Sequence, residues 1–195
     1  MEYIVGVDEA GRGPLAGPVS VGVVVAREGY DFIATFPGLN DSKQLSEKKR
    51  EALYLVLEEE FRAERVRFVV QFVSAELIDK GGIAPAIRAA VGQGVRKLLP
   101  EPEQGKVFLD GSLKAPVEYA QETVIGGDGT VPAIMLASIA AKVTRDRYMK
   151  KMALEYPQYG FEQHKGYGTK AHYEAIKLHG LSPLHRRTFL KKIDV

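Results

Sequence analysis

The sequence has no cysteine, which excludes a disulfide framework and any zinc–thiolate site. No apolar run approaches the roughly 18 residues that crossing a bilayer requires. The N-terminus goes straight into a strand-like run and shows no basic segment followed by an apolar one. Net charge is small, +2 over 195 residues. From these absences we expect a cytoplasmic protein without membrane attachment. The length suits one buried core with at most a small appended element. Apolar residues at 45% and charged residues at 27% are an ordinary globular balance.

The small net charge hides an uneven distribution. From Lys142 to Val195 there are twelve Lys and Arg against five Asp and Glu, and all four histidines fall in the last third. A basic end on a weakly acidic body suits a polyanion such as nucleic acid, although a solvated helix surface has the same composition.

Read in order, the chain alternates strand and helix signals. Tyr3-Ile4-Val5-Gly6-Val7 and Val19–Val25 are β-branched runs bounded by glycine and proline, which predicts strands. Phe32–Phe36 could be a third, making an antiparallel meander. Ser46 is an N-cap candidate for a helix over Glu47–Arg62, with Leu53, Val56, Leu57 and Phe61 on one face. Val66–Val73 predicts the next strand, Ser74 caps a short helix, and a longer one runs from Ile83 to Leu99. Strands over Lys106–Leu109 and Val117–Ile125 follow. A long helix starts at Pro132, small and apolar at first and charged later, and a helix over Thr169–His179 closes the pattern. The order predicts an α/β domain with a mixed sheet.

Chemistry concentrates in Met1–Pro18. The first strand runs into Asp8 and Glu9, and a glycine turn, Gly11-Arg12-Gly13, follows. Ligands gather at the C-terminal ends of parallel strands. Adjacent carboxylates repel, and a hard divalent cation removes that cost. An ordinary acidic turn is the plainer reading of Asp-Glu alone. Two more carboxylates, Asp110 and Asp128, also sit at or after strand ends, each before a glycine. Without a ligand, both would simply cap turns.

Five blocks then carry a resemblance: Gly6–Val19 (GVDEAGRGPLAGPV), Asn40-Asp41-Ser42-Lys43, Asp110-Gly111, Ala137–Asp146 (ASIAAKVTRD), and the pair His164–Lys170 (HKGYGTK) with His185–Phe189 (HRRTF). In this order they resemble prokaryotic ribonuclease HII over almost the whole chain. The resemblance implies the ribonuclease H-like fold: a five-stranded mixed sheet flanked by helices, with a helical C-terminal extension. We expect a catalytic body over 1–156 and the extension over 157–195, in one continuous globular unit.

The resemblance also implies hydrolysis of RNA in RNA–DNA hybrids and nicking 5′ of single ribonucleotides embedded in duplex DNA, leaving 3′-hydroxyl and 5′-phosphate ends. Asp8, Glu9, Asp110 and Asp128 are the implied catalytic and metal-binding set, holding two Mg²⁺ or Mn²⁺ ions. Two ions roughly 3.5–4 Å apart serve the attacking water, the phosphoryl charge and the leaving oxygen. Gly11, Arg12 and Gly13 are the implied readers of the 2′-hydroxyl, since glycine permits close backbone approach. Tyr167 is implied to test the deoxyribose that follows. Lys43, Ser138, Lys142, Arg145 and Lys165 are candidates for phosphate contact; helix pairing for Lys142 and Arg145, and close helix packing for Ser138, are the plainer alternatives. His164 and His185 are not assigned as general bases.

The expected partners are RNA–DNA hybrid and ribonucleotide-containing duplex, bound by a monomer; a replication-clamp contact is not readable in the sequence. A ribonuclease HIII-like enzyme would carry a further domain ahead of the first strand, which begins here at Tyr3. Another nuclease of the same fold would lack the glycine–arginine turn and the Tyr167 block. An inert nucleic-acid-binding relative would lack carboxylates.

Overall fold

Strand alternation sets the layers of the molecule. A computed structural model describes residues 1–190; the last five residues of the expected extension, 191–195, lie outside the described residues. In β1 (Tyr3–Ala10), Val5 and Val7 bury into a cluster with Ile87, Val91 and Val95. In β2 (Val19–Arg27), Val19, Val21, Val23 and Val25 join that cluster, whereas Val24 and Ala26 join a second one with Leu53, Leu57 and Ala137. Successive side chains of a strand point to opposite faces. Odd residues of both strands therefore face α4 (Ile83–Leu98), and even residues face α2 (Glu47–Arg62) and α5 (Pro132–Glu155).

The sheet is completed by β3 (Val66–Val73), β4 (Gly105–Asp110) and β5 (Ala120–Val124), in the order β3-β2-β1-β4-β5. Antiparallel pairing joins β3, β2 and β1, and parallel pairing joins β1, β4 and β5. This is the five-stranded mixed sheet with flanking helices that was expected. The third meander strand is different. Phe32–Phe36 is not a strand; it forms α1 (Phe32–Thr35), and β3 takes its place in the sheet. Asp31 caps α1 by accepting from the Ala34 N–H at 3.0 Å, and the four-residue spacing of buried Phe32 and Phe36 across exposed Ile33 is helical. The strand expected over Val117–Ile125 shortens to β5 because a Pro116–Tyr119 turn precedes it.

Serines open two helices as expected: Ser46 accepts from Lys49 N–H at the start of α2, and Ser74 accepts from Leu77 N–H at the start of α3 (Ala75–Gly81). After α5, α6 (Phe161–His164) and α7 (Lys170–His179) enclose a third cluster, built on Leu15, Ala16, Met149 and Phe161. No helix among the described residues is long and apolar enough to cross a membrane.

The contact that fixes the site is that of α5 with β1 and β2. A Cβ on Gly6 would lie 2.1 Å from the Ala133 carbonyl, and one on Gly22 would lie 2.2 Å from that of Ala137. Backbone thus packs directly on backbone, and Ser20 Oγ donates to Ala141 O at 2.9 Å along the same seam. Gly6→Ala should lower stability by more than about 3 kcal/mol, because neither backbone can yield to an added methyl group. Gly81→Ala, with nothing within 4 Å of its added methyl, should shift it by less than about 1 kcal/mol. Urea midpoints of the two variants test this.

Candidate active site

The parallel ladder between β1 and β4 ends at Val7↔Leu109. The next residues on the two strands are Asp8 and Asp110, both even-numbered and on the α5 face. Glu9 follows on the opposite, α4 face. Asp128 arrives in the single turn Gly127–Gly129 after β5, where its N–H donates to Asp110 Oδ1 at 3.4 Å. The C-terminal edge of the parallel strands therefore gathers three carboxylates on one face of the sheet, with a fourth one residue away across the edge.

These charges are costly to hold. Asp8 is 4% exposed, and burial pushes its carboxyl up to about 8. A hydrogen bond from Ser138 offsets part of that shift, while the charges of Glu9 and Asp110 add to it. Glu9 is also raised, chiefly by burial, against the opposing pull of Arg12. Two side-chain cations supply countercharge: Arg12 Nη1 lies 3.2 Å from Glu9 Oε1, and Lys43 Nζ lies 2.6 Å from Asp128 Oδ2. The hydrogen bond to Asp128 raises Lys43 in turn.

Among the described residues, no three acidic or histidine side chains converge closely enough to form a ready-made cation cage. The chemistry of the donors nevertheless fits hard divalent ions. All four are carboxylates, Asp8 is held in a state that positive charge would relieve, and Arg12 and Lys43 now carry charge of the sign such ions would bring.

The glycine turn is held from beneath by two arginines. Arg145 on α5 is fully buried; its Nε donates to Pro18 O at 2.9 Å and its Nη2 to Ala16 O at 3.1 Å. Gly11 adopts φ +88°, and a Cβ there would fall 2.0 Å from Arg145 Nε. Arg186, also fully buried, donates to the carbonyls of Gly17, Arg12 and Gly11 at 3.0, 3.0 and 2.6 Å. Burial and the neighbouring Arg145 charge push Arg186 down to about 9. From the sequence Arg145 is a candidate for phosphate contact, with helix pairing as the alternative. Its guanidinium has no exposed surface and instead braces the Leu15–Pro18 segment. Arg186 was not singled out from the sequence, where only its position in the HRRTF block marked it.

The remaining candidates divide by placement. The Tyr167 ring stands by Gly13, with Cε1 3.9 Å from where a Cβ would be, and the residue is 45% exposed. Ser138 is buried, 2.8 Å from Ser42 Oγ, and so joins the Asn40–Lys43 loop to α5 beside Asp8. Lys142 is paired with buried Asp146 at 2.7 Å, and burial lowers its pKa. That is the helix pairing weighed against phosphate contact, and it commits the ammonium within the protein. Lys165 donates to Glu162 O. A cavity of about 100 Å³, which sequence reasoning missed, opens beside the turn, with Arg12, Arg88, Ser112 and Lys114 among its lining residues. Arg88 and Lys114 lie far from each other in sequence and in no motif.

The raised Asp8 carboxyl has a consequence for stability. Below about 8 the folded chain keeps a proton there that the unfolded chain releases above 3.8. The unfolded state then binds fewer protons, so this group's contribution falls as pH rises from about 4 to about 8. Asp8→Asn removes that dependence. In a metal-free buffer it should melt several degrees above the native chain at pH 8.5, a gap of at least ~3 °C that closes toward pH 5. Added Mg²⁺ should raise the native melting temperature more than that of the variant. Thermal unfolding at the two pH values, with and without Mg²⁺, checks both effects.

Similarity to known proteins agrees with this geometry. The family model for ribonuclease HII matches residues 5–192. Ribonuclease HII of Endomicrobium trichonymphae is 45% identical over 193 residues, covering 98% of this chain and 87% of the relative. A ribonuclease HII of Bacillus cereus is 47% identical over 189 residues, covering 97% and 69%. Among solved structures, ribonuclease H2 from Pyrococcus horikoshii OT3 superposes with a TM-score of 0.73 at 27% identity, over 98% of this chain and 96% of that one. The ribonuclease HIII solved with Mn²⁺ shares the fold at a TM-score of 0.70 and 17% identity, over 95% and 66%. The chain belongs to the ribonuclease HII family and is a metal-dependent endoribonuclease that acts on RNA–DNA hybrids.

Proposed function

We propose that this enzyme nicks duplexes on the 5′ side of a ribonucleotide, including a single ribonucleotide embedded in DNA, and leaves 3′-hydroxyl and 5′-phosphate ends. The observation that carries the reading is the Tyr167 ring standing by Gly13, four residues after Glu9. A reader of the sugar and the acidic edge thus lie on one ledge.

Asp8, Glu9, Asp110 and Asp128 would hold two Mg²⁺ or Mn²⁺ ions, whose chemistry when bound is to acidify water and to neutralise phosphoryl charge. The chain's own groups do the rest. The carbonyls of Gly11 and Arg12 are occupied by Arg186. Among the described residues, the N–H groups of Arg12 and Gly13 have no acceptor. They are free to donate to a ribose 2′-oxygen, the atom that DNA lacks. Gly13 leaves room for the sugar, and the exposed Tyr167 ring offers an apolar face to the next, deoxy, sugar. Lys43 and Arg12, exposed cations at the acidic edge, can turn to backbone phosphates once Asp128 and Glu9 have other countercharge. Arg88 and Lys114, around the small cavity on the α4 side, extend that contact with Arg12. Ser138 holds Asp8 in place, and Arg145, Lys142 and Lys165 act by holding backbone and Asp146.

A duplex carrying one ribonucleotide should be nicked with Mg²⁺ or Mn²⁺, and end-group analysis should find a 3′-hydroxyl on the DNA fragment. Asp8→Asn should lower kcat at least ~100-fold; full activity in that variant would remove Asp8 from the site. Tyr167→Ala should lose more on the single-ribonucleotide duplex than on a long hybrid, and equal losses would exclude the junction-reading role. Replacing Arg88 and Lys114 together by Ala should weaken duplex binding and reduce the salt slope of log K by about 1 to 2. An unchanged slope would exclude the cavity from phosphate contact.

A further inference from the structure

The extension contains a chain of hydrogen bonds that the reaction chemistry does not use. His172 is fully buried and His185 is 2% exposed. Their Nε2 atoms lie 3.0 Å apart. His185 Nδ1 is 2.9 Å from the backbone N of Ser182 and 2.9 Å from its Oγ. His172 Nδ1 is 2.9 Å from the carbonyl oxygen of Tyr167.

The two ends of this chain fix every proton in it. A backbone N–H can only donate, so His185 Nδ1 is an acceptor and the ring carries its proton on Nε2. That proton points at His172 Nε2, which must therefore be bare. His172 then carries its proton on Nδ1 and donates to a carbonyl, which can only accept. One tautomer of each ring satisfies all of the contacts; either ring in its other tautomer, or charged, would set N–H against N–H in a buried place. The environment agrees with two neutral rings, since burial pushes both histidines down to about 4.

The chain ends on the residue proposed to read the sugar, and it begins beside the residue that holds the turn. The backbone of His185 bridges Ala16, and Arg186 N–H donates to Leu15 O at 2.8 Å. Arg186 itself holds the carbonyls of Gly11 and Arg12. On the other side, Gly166 O accepts from Leu15 N–H at 2.8 Å, and a Cβ on Gly166 would fall 2.3 Å from Ala16 O. Residues 185–186 thus hold both partners of the ledge, the turn through Arg186 and Tyr167 through the two rings. The backbone of Tyr167 itself makes two further contacts, from its own N–H to His164 O and from Thr169 N–H to its carbonyl, and the neighbouring Gly166 N–H donates to His164 Nδ1 at 3.2 Å.

We infer that His185 and His172 are positioning residues for substrate selectivity: a directed pair, each in one tautomer, that sets the height of Tyr167 over Gly13. The inference rests on the reading of Tyr167 given above. Its class of action is discrimination between a sugar that follows the ribonucleotide without a 2′-hydroxyl and one that has it.

The test compares kcat/KM on a single-ribonucleotide duplex with kcat/KM on a long RNA–DNA hybrid. His172→Leu removes the donor to Tyr167 O and should lower the ratio of the two about tenfold, within the range of coupling between contacting residues. His172→Asn keeps an amide N–H near the Nδ1 position and should recover the ratio to within about threefold. In a Tyr167→Ala background, His172→Leu should change the ratio less than about twofold. Equal losses on both substrates, or the same tenfold drop without the tyrosine ring, would overturn the positioning role.

If His172→Leu does not fold, His185→Gln against His185→Met repeats the comparison, because glutamine keeps a donor toward His172 and methionine does not. Nitrogen-15 spectra of the imidazoles in the native enzyme must show His172 protonated on Nδ1 and His185 on Nε2; either opposite tautomer overturns the directed pair itself. A Tyr167→Ala enzyme with an unchanged ratio would instead overturn the reading of Tyr167, and the selectivity role assigned to the pair with it, whatever the tautomers.

Discussion

Backbone packed on backbone between α5 and the first two strands is the constraint on which the site depends. Gly6 and Gly22 present no side chain to Ala133 and Ala137, so the helix sits closer to the sheet than any larger pair would permit. That closeness brings Ser138 against Asp8 and takes the carboxyl out of water. It also delivers Arg145, two turns further along α5, beneath the glycine turn. A helix held even one methyl further away would leave Asp8 wetter and the turn unsupported from below. The rigid scaffold and the raised acidity of the edge therefore have one origin.

The acidic edge and the basic underside of the turn are complementary ways of storing charge. Among the described residues, Arg12 and Lys43 are the cations paired with the carboxylates of this edge, and both are exposed enough to move. Arg145 and Arg186, by contrast, are buried and donate to carbonyls, Arg186 through all three guanidinium nitrogens and Arg145 through Nε and Nη2, with its Nη1 left without a partner among the described residues. Removing either would leave several buried acceptors without partners, and such acceptors are costly. Those carbonyls are tied down on the inside, while the N–H groups of Arg12 and Gly13 have no acceptor among the described residues. The donor–acceptor sorting of one short loop thus follows from two arginines that come from opposite ends of the fold.

Much of this was legible in the sequence, and the misses have physical reasons. The first two strand runs, the Val66–Val73 run, the two serine caps and the small-residue start of α5 are local signals, and each appears where propensity and spacing put it, while the Val117–Ile125 run shortens to Ala120–Val124. Phe32–Phe36 misled because two phenylalanines four apart read as a strand by β propensity, while Asp31 had already offered a cap to a helical turn. Arg145 was ambiguous for a different reason. A basic residue in a block of a nuclease family reads as a phosphate ligand, and nothing local distinguishes a solvated arginine from one swallowed by a loop 127 residues away. The cavity cations Arg88 and Lys114 carried no signal at all, since only the fold brings α4 beside the loop after β4.

The sequence by itself determined the alternation that sends odd residues of β1 and β2 to one layer and even residues to the other. It also determined the identity of the four carboxylates and the glycine turn, and the family to which they belong. Tertiary structure alone decided which charges meet. Asp8 and Asp110 become neighbours because two distant strands pair in parallel and stop together, and Glu9 crosses the edge because a strand alternates. Arg186 reaches the turn, and His185 the tyrosine's loop, because the extension folds back onto Leu15 and Ala16. Local pattern encodes which way a side chain faces; what it faces depends on contacts between residues a hundred or more positions apart.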